Sequence, residues 1–402
     1  MKEGISMQKM SDKKRYGVAV FLFTALMVIG MLASCTTSSD NPPASPGDEG
    51  DTDGLVEASP MVVVGKYLFI ALQRLDGFSV VRDAYIAVID TDTDTLVDVN
   101  PVTPEIDPIV LTGRNPNFMY YDEGLGKIVV SETGSYGMMD GGIEVVDPLS
   151  FEAEGFIIDE AALGDDAGPV VMVDNVIGFV VVGGFFSNKV VAFDVAVDPG
   201  TGAVTVSNPR DLFSNSPFIP SLAVDDTKRL LVPDRTLASP GVRIFDTFTE
   251  VEVTASPLDV GLPPNTVMVI PTVPPVAFVT TTDYATGSYS TIDLSDLSAS
   301  VNLPSTTGII ESDNTAVYFN NKVYIINKFG FDNITVLKVS DLTTAIKQFS
   351  TGNGTNPQDM AFVSDTQAYV SLLGSNDVLV VDPTESSGNE ITGTIDLSVF
   401  LD

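Results

Sequence analysis

The chain has 402 residues, with 20 lysines and arginines against 54 aspartates and glutamates, one cysteine, and neither histidine nor tryptophan. A formal charge of -34 opposes binding to nucleic acid, whose affinity rests on a basic face that releases counterions, and the lack of histidine excludes Ser-His-Asp and Cys-His catalysis, an imidazole base and His-ligated metals. At 44% hydrophobic and 18% charged, the chain can bury a large core.

At the amino terminus Lys13, Lys14 and Arg15 precede an apolar run from Val18 to Leu32 that ends in Leu32-Ala33-Ser34-Cys35. A basic start, an apolar stretch too short for a bilayer span and small residues at the end predict a secretory signal over residues 1–34. The four last residues resemble the bacterial lipobox. The resemblance implies that Cys35 is lipidated and becomes the first mature residue, that the chain is a lipoprotein anchored to a membrane by its acyl groups, and, with Thr36 rather than Asp following, that it sorts to the outer membrane of the cell envelope. No second thiol competes for that role. Residues 36–54 are Ser, Thr, Pro, Gly and Asp-rich without a large apolar side chain, so they predict a disordered tether, with residues 35–54 forming the lipidated linker.

From Leu55 onward short Val, Ile, Phe, Tyr and Leu runs recur between turn residues, which predicts an all-β domain over residues 55–402. One phrase, a β-rich run closing on Asp, ends at Asp90, Asp147, Asp194, Asp246, Asp293 and Asp382, with Ser340 filling the one gap. The spacing is about 49 residues, which together with four strand-like runs per unit predicts a seven-bladed β-propeller of four-stranded antiparallel blades. Asp at the head of a turn can bond the backbone ahead of it, so these aspartates are expected to be structural.

The unit resembles the YVTN-type propeller repeat of bacterial envelope proteins. Its best copy is Asn356-Pro357-Gln358-Asp359 with Ala368-Tyr369-Val370 and Val380-Val381-Asp382; Phe69-Ile70 and Val323-Tyr324-Ile325 are looser copies. The resemblance implies fold and compartment rather than activity.

In such blades the loops from strand two to three and from strand four to the next blade share one face, here called upper. Arg74, Arg82, Arg114, Arg210 and Arg235 are expected there, with one lysine, Lys328, and with Phe78, Tyr136, Met138, Met139, Phe185, Phe186, Tyr284, Phe329 and Phe331, whereas Lys66, Lys127, Lys228 and Lys322 fall on the opposite face. Arginine and aromatics are the types enriched at interfaces. This predicts a binding or scaffolding module that engages an envelope protein or an anionic ligand through Arg74, Arg114, Arg235, Phe78, Phe186 and Tyr284. No catalytic residue, metal ligand or cofactor is assigned. The alternative is a cation-dependent hydrolase or lactonase, with calcium held by carboxylates at the channel mouth.

Overall fold

The computed structural model describes residues 52–184, 186–303 and 308–401, all within the unit Glu49–Asp402. Residues 1–51, on which the expected signal sequence, the expected lipidation at Cys35 and most of the expected tether fall, lie outside the described residues.

Seven antiparallel sheets follow one another along the chain, each built from a consecutive stretch. Their first strands are Ala58–Val64, Pro116–Asp122, Ala167–Val173, Ala223–Val224, Pro264–Ile270, Asn314–Phe319 and Pro357–Ser364. First strands of neighbouring blades touch, and the last touches the first, so the sheets form a closed ring around an axis lined by these strands. This is the expected seven-bladed propeller, whose closure protects strand edges. The second strands, such as Tyr67–Leu72 and Ile177–Val182, are packed on both faces by neighbouring blades and are buried almost throughout. That double burial is why they read as unbroken apolar runs instead of alternating ones. The core lies between blades: Val129 and Val145 of blade 2, for example, pack with Val170, Val180 and Phe193 of blade 3.

Two blades depart from four full strands. In blade 4 a three-stranded sheet is completed only by isolated bridges, Val242 to Leu258 and Phe245 to Glu252. In blade 1 the outer edge is split into Thr95–Leu96 and Ile109–Val110. The interrupted stretches carry Pro257 in one case and Pro101, Pro104 and Pro108 in the other; proline donates nothing to a ladder, so the outer strand breaks there.

The recurrent aspartates do hold turns. Asp147 accepts from the amides of Leu149 (2.8 Å) and Ser150 (3.3 Å), Asp246 from Phe248 and Thr249, and Asp382 from Thr384. Blade 3 moves this role to Asp198, which accepts from Gly200 and Thr201, while Asp194 pairs with Arg210. In blade 6 Asp341, one residue past Ser340, accepts from Thr343.

The ring closes without an exchanged strand. The apolar seam between blades 7 and 1 joins Met61, Leu68 and Ile70 to Tyr369, Val378, Val380 and Phe400. Polar bonds cross it at both ends: Val56 N donates to Asn376 Oδ1 at 2.9 Å, Met61 N to Asp359 Oδ2 at 2.9 Å, Ser371 Oγ to Ser59 O at 2.6 Å, and Tyr369 OH to Asp94 Oδ1 at 2.5 Å.

Candidate functional site at the upper loop face

The loops joining second to third strands all leave the same side of the ring. In blades 1 to 7 they comprise residues 73–84, 133–141, 183–184 with 186–187, 235–240, 283–286, 328–332 and 373–376, Phe185 lying outside the described residues. Blade 1's loop folds into its own small hairpin, Leu75–Asp76 with Ser79–Val80, which lifts Phe78 at its tip into solvent (72% exposed). Phe186 of blade 3 is 67% exposed, Tyr284 of blade 5 64% and Phe329 of blade 6 74%. Tyr136, Met138 and Met139 of blade 2 are exposed as well. Blade 4 contributes Leu237, the most exposed of the group, which the sequence reading passed over although it stands alone among the turn residues Thr236, Ala238, Ser239 and Pro240. Among the described residues seven aromatic side chains are exposed; six lie in these loops and one, Phe248, lies on the opposite face. That asymmetry sets the upper loops apart, because isolated exposed apolar residues need no explanation and a one-sided set does.

The expected arginines behave differently from one another. Arg74 is 4% exposed. Its Nη1 donates to Asp83 O at 3.0 Å and its Nη2 to Leu401 O at 3.3 Å, with the guanidinium 4.0 Å from the centre of the Tyr85 ring. Arg82 Nη1 donates to the same Leu401 carbonyl. These two side chains fasten the chain's last residues to blade 1. Arg235 is also buried: Nη1 donates to Pro264 O at 3.2 Å and Nη2 to Thr282 O at 3.0 Å, which ties the blade 4 loop to blade 5, and the Tyr284 ring lies 4.6 Å away. Burial pulls the pKa of both Arg74 and Arg235 below the ordinary arginine value, yet a guanidinium stays protonated. Arg114 is more open and is held by Asp83 Oδ1, from Nε at 3.1 Å and Nη2 at 2.8 Å. Arg210 is not in an upper loop: it lies inside the long outer strand Val204–Ser216, paired with Asp194 and Glu250. The strand runs on through Pro209 with irregular register, which sequence alone reads as a break.

Of the six residues expected to form the site, one pair is in contact, Arg235 with Tyr284. Arg74 and Arg114 share Asp83, the first through its carbonyl and the second through its carboxylate. Phe78 and Phe186 stand on separate blades. A cleft of about 510 Å³ opens beside Phe329, bounded by Asp332, Asn353, Asn356 and Leu373 of blades 6 and 7. Asp332 accepts there from the amides of Gly354 (2.7 Å) and Asn356 (2.9 Å), so its carboxylate shapes the cleft wall.

Three carboxylates of blade 2 and the connection that follows it lie deep in the structure. Glu132, Glu144 and Glu160 have no exposed surface. Glu144 is well bonded, by Thr112 N at 2.8 Å, Thr112 Oγ1 at 2.6 Å and Gly155 N at 2.9 Å. Glu160 accepts from Gly141 N (2.9 Å) and Ala167 N (2.7 Å), which lock the loop above it; burial outweighs these bonds and pushes its carboxyl up to about 7. Glu132 is raised well above the usual carboxylate range by burial, with Glu144 beside it adding to the shift. Space around it is tight: a Cβ on Gly113 would lie 1.8 Å from Glu132 Oε2, so a larger residue there would have to displace the Glu132 carboxylate. Among the described residues no three acidic side chains converge closely enough to hold a metal ion.

No family model and no curated protein matches the chain. Solved structures do. The chain is similar to hydrazine synthase of Kuenenia stuttgartiensis, at 14% identity and a TM-score of 0.58, over 86% of this chain and 100% of that one. It is similar to a protein from Lactobacillus plantarum, at 14% identity and a TM-score of 0.54, over 77% of this chain and 91% of that one. A streptogramin B lyase structure matches at 10% identity and a TM-score of 0.53, over 80% of this chain and 92% of the other. A synthase and a lyase on one architecture at such identities share a fold and not a chemistry. Strand order, ring closure and these likenesses agree that the chain is an all-β, seven-bladed propeller.

Proposed function

We propose that this chain is a lipid-anchored binding or scaffolding module of the cell envelope that takes a protein partner on its upper loop face. The observation that carries the reading is the placement of exposed apolar side chains in the second-to-third loops of six of the seven blades, with nearly all exposed aromatics on that side. Large apolar and aromatic residues on a rigid ring are the composition of protein interfaces. An anionic ligand is the less favoured occupant, since Arg74 and Arg235 already serve backbone carbonyls and Arg114 already holds Asp83. The anchor rests on Leu32-Ala33-Ser34-Cys35 and the basic and apolar segments before it, and outer-membrane sorting rests on Thr36. Tethered by residues 36–54, the propeller would present its loops at a distance from the bilayer set by that linker.

The test is affinity capture from detergent-solubilised envelope with the parent and with a Phe78→Ala, Phe186→Ala, Phe329→Ala variant. A protein captured by the parent and reduced at least tenfold by the triple change, but not by Phe248→Ala, supports the reading. Equal capture by all three proteins refutes it.

A further inference from the structure

Resting on the reading above, we propose that the partner's contact segment is basic: apolar anchors flanked by lysine or arginine. Most of the upper face's positive charge is taken up by internal contacts, Lys328 of the blade 6 loop being the exception. Arg74 and Arg235 are buried against carbonyls, Arg82 donates to Leu401 O, and Arg114 is held by Asp83. On the lower face four lysines are matched to acids: Lys66 with Asp90, Lys127 with Asp147 and Glu154, Lys228 with Asp174, and Lys322 with Asp365. The upper loops keep acids that no lysine or arginine of the described chain pairs: Asp76, Asp140, Asp165, Asp283 and Asp313. Three of them neighbour exposed anchors along the chain: Asp76 is two residues from Phe78 in one hairpin, Asp140 is next to Met139, and Asp283 is next to Tyr284.

A surface that alternates aromatics with unpaired carboxylates complements a segment in which apolar side chains alternate with cations. Such a segment gains Coulomb attraction at the rim and avoids the repulsion that a second copy, at -34, or an anionic lipid surface would meet. Lysine and arginine suit this role further, because their apolar stems can lie over Phe and Tyr rings while the heads reach carboxylates. The cleft beside Phe329 offers a seat for one anchor.

The experiment uses the full chain in detergent and two synthetic 20-residue probes. One alternates lysine with leucine and phenylalanine; the other replaces every lysine by glutamate. Binding is followed by fluorescence anisotropy at 50 and 200 mM salt, with phosphatidylcholine vesicles as a third probe. The parent is expected to bind the basic peptide and not the acidic one, more weakly at the higher salt. Asp140→Asn, Asp283→Asn and Asp313→Asn together keep the side-chain oxygens that accept from Ser135 and Thr286, and are expected to weaken binding about tenfold. Neutralising Asp92, Glu123 and Asp226 of the lower turns to their amides is expected to leave it within twofold. Equal loss from both triples, preference for the acidic peptide, or binding to the vesicles instead of the peptide overturns the proposal. If the Phe78, Phe186 and Phe329 alanine variant loses the basic peptide while the upper amide triple does not, the docking face stands and the basic partner falls.

Discussion

Arg235→Ala tests the distinction between arginines that build the face and residues that are displayed on it. The substitution removes two charge-assisted bonds, to Pro264 O at 3.2 Å and Thr282 O at 3.0 Å, and the contact with the Tyr284 ring at 4.6 Å. Bonds from a charged donor are worth about 1.5 to 3 kcal/mol each, and the cation–ring contact, whose Tyr284 ring is mostly exposed, about 0.5 to 1 kcal/mol. Against this stands the desolvation that the buried guanidinium no longer suffers, leaving a net loss of about 2 to 4 kcal/mol. With a urea m-value of about 3 kcal/mol/M for a domain of this size, the midpoint falls by roughly 1 M. Arg114→Ala provides the contrast, since its partner Asp83 is 61% exposed and surface pairs contribute about 0 to 1 kcal/mol. Arg235→Lys is expected to recover less than half of the loss, because an ammonium cannot span both carbonyls. Urea titrations followed by far-ultraviolet circular dichroism read all three. A midpoint for Arg235→Ala within 0.2 M of the parent, on the order of 0.6 kcal/mol, or a larger loss in Arg114→Ala, refutes the assignment.

Three further outcomes are expected. Tyr369→Phe removes the bond from blade 7 to Asp94 of blade 1 at 2.5 Å and is expected to cost about 1 to 2 kcal/mol, read as a urea midpoint shift with an unchanged m-value. Stability is expected to peak near pH 5: turn aspartates such as Asp198 and Asp246, held low by backbone amides, contribute above pH 4 and lose that contribution on acidification, whereas Glu160, raised to about 7, binds its proton in the folded state first, so stability falls as pH rises from about 4.5 through 7. Thermal unfolding from pH 3 to 9 reads this, and Glu132→Gln, which removes a second raised carboxyl, is expected to flatten the alkaline limb. Cys35→Ala is expected to abolish incorporation of a fatty-acid analogue in metabolic labelling; persistent incorporation would show that the anchor lies elsewhere.

The propeller was legible because its determinants are local and repeat. The Asp-headed turn and the doubly buried second strand each leave a short signature, and seven copies at similar spacing make the architecture plain even where prolines break an outer strand. The face that the loops share was legible, because loop membership follows from strand order: Phe78, Phe186, Tyr284 and Phe329 are where their loops put them, and exposed. What each arginine does was not, because it depends on which backbone carbonyl lies within reach across a blade boundary. Arg74 meets Leu401 from the far end of the chain, a contact created by ring closure and invisible to any local window. Arg210 was misplaced for a related reason, as its strand continues through a proline that reads as an end. Buried Glu132 closes the strand Lys127–Glu132 and resembles an ordinary polar strand end until the neighbouring loop, with Gly113, folds over it.

The central claim is that the upper loops are the recognition surface. Replacing Phe78, Phe186 or Phe329 singly by a photo-crosslinking phenylalanine analogue in living cells, with Phe248 on the opposite face as the control, tests it most directly. A covalent adduct to the same protein from the three upper positions and none from Phe248 is the predicted result; adducts from Phe248 alone, or equally from all four positions, would contradict it.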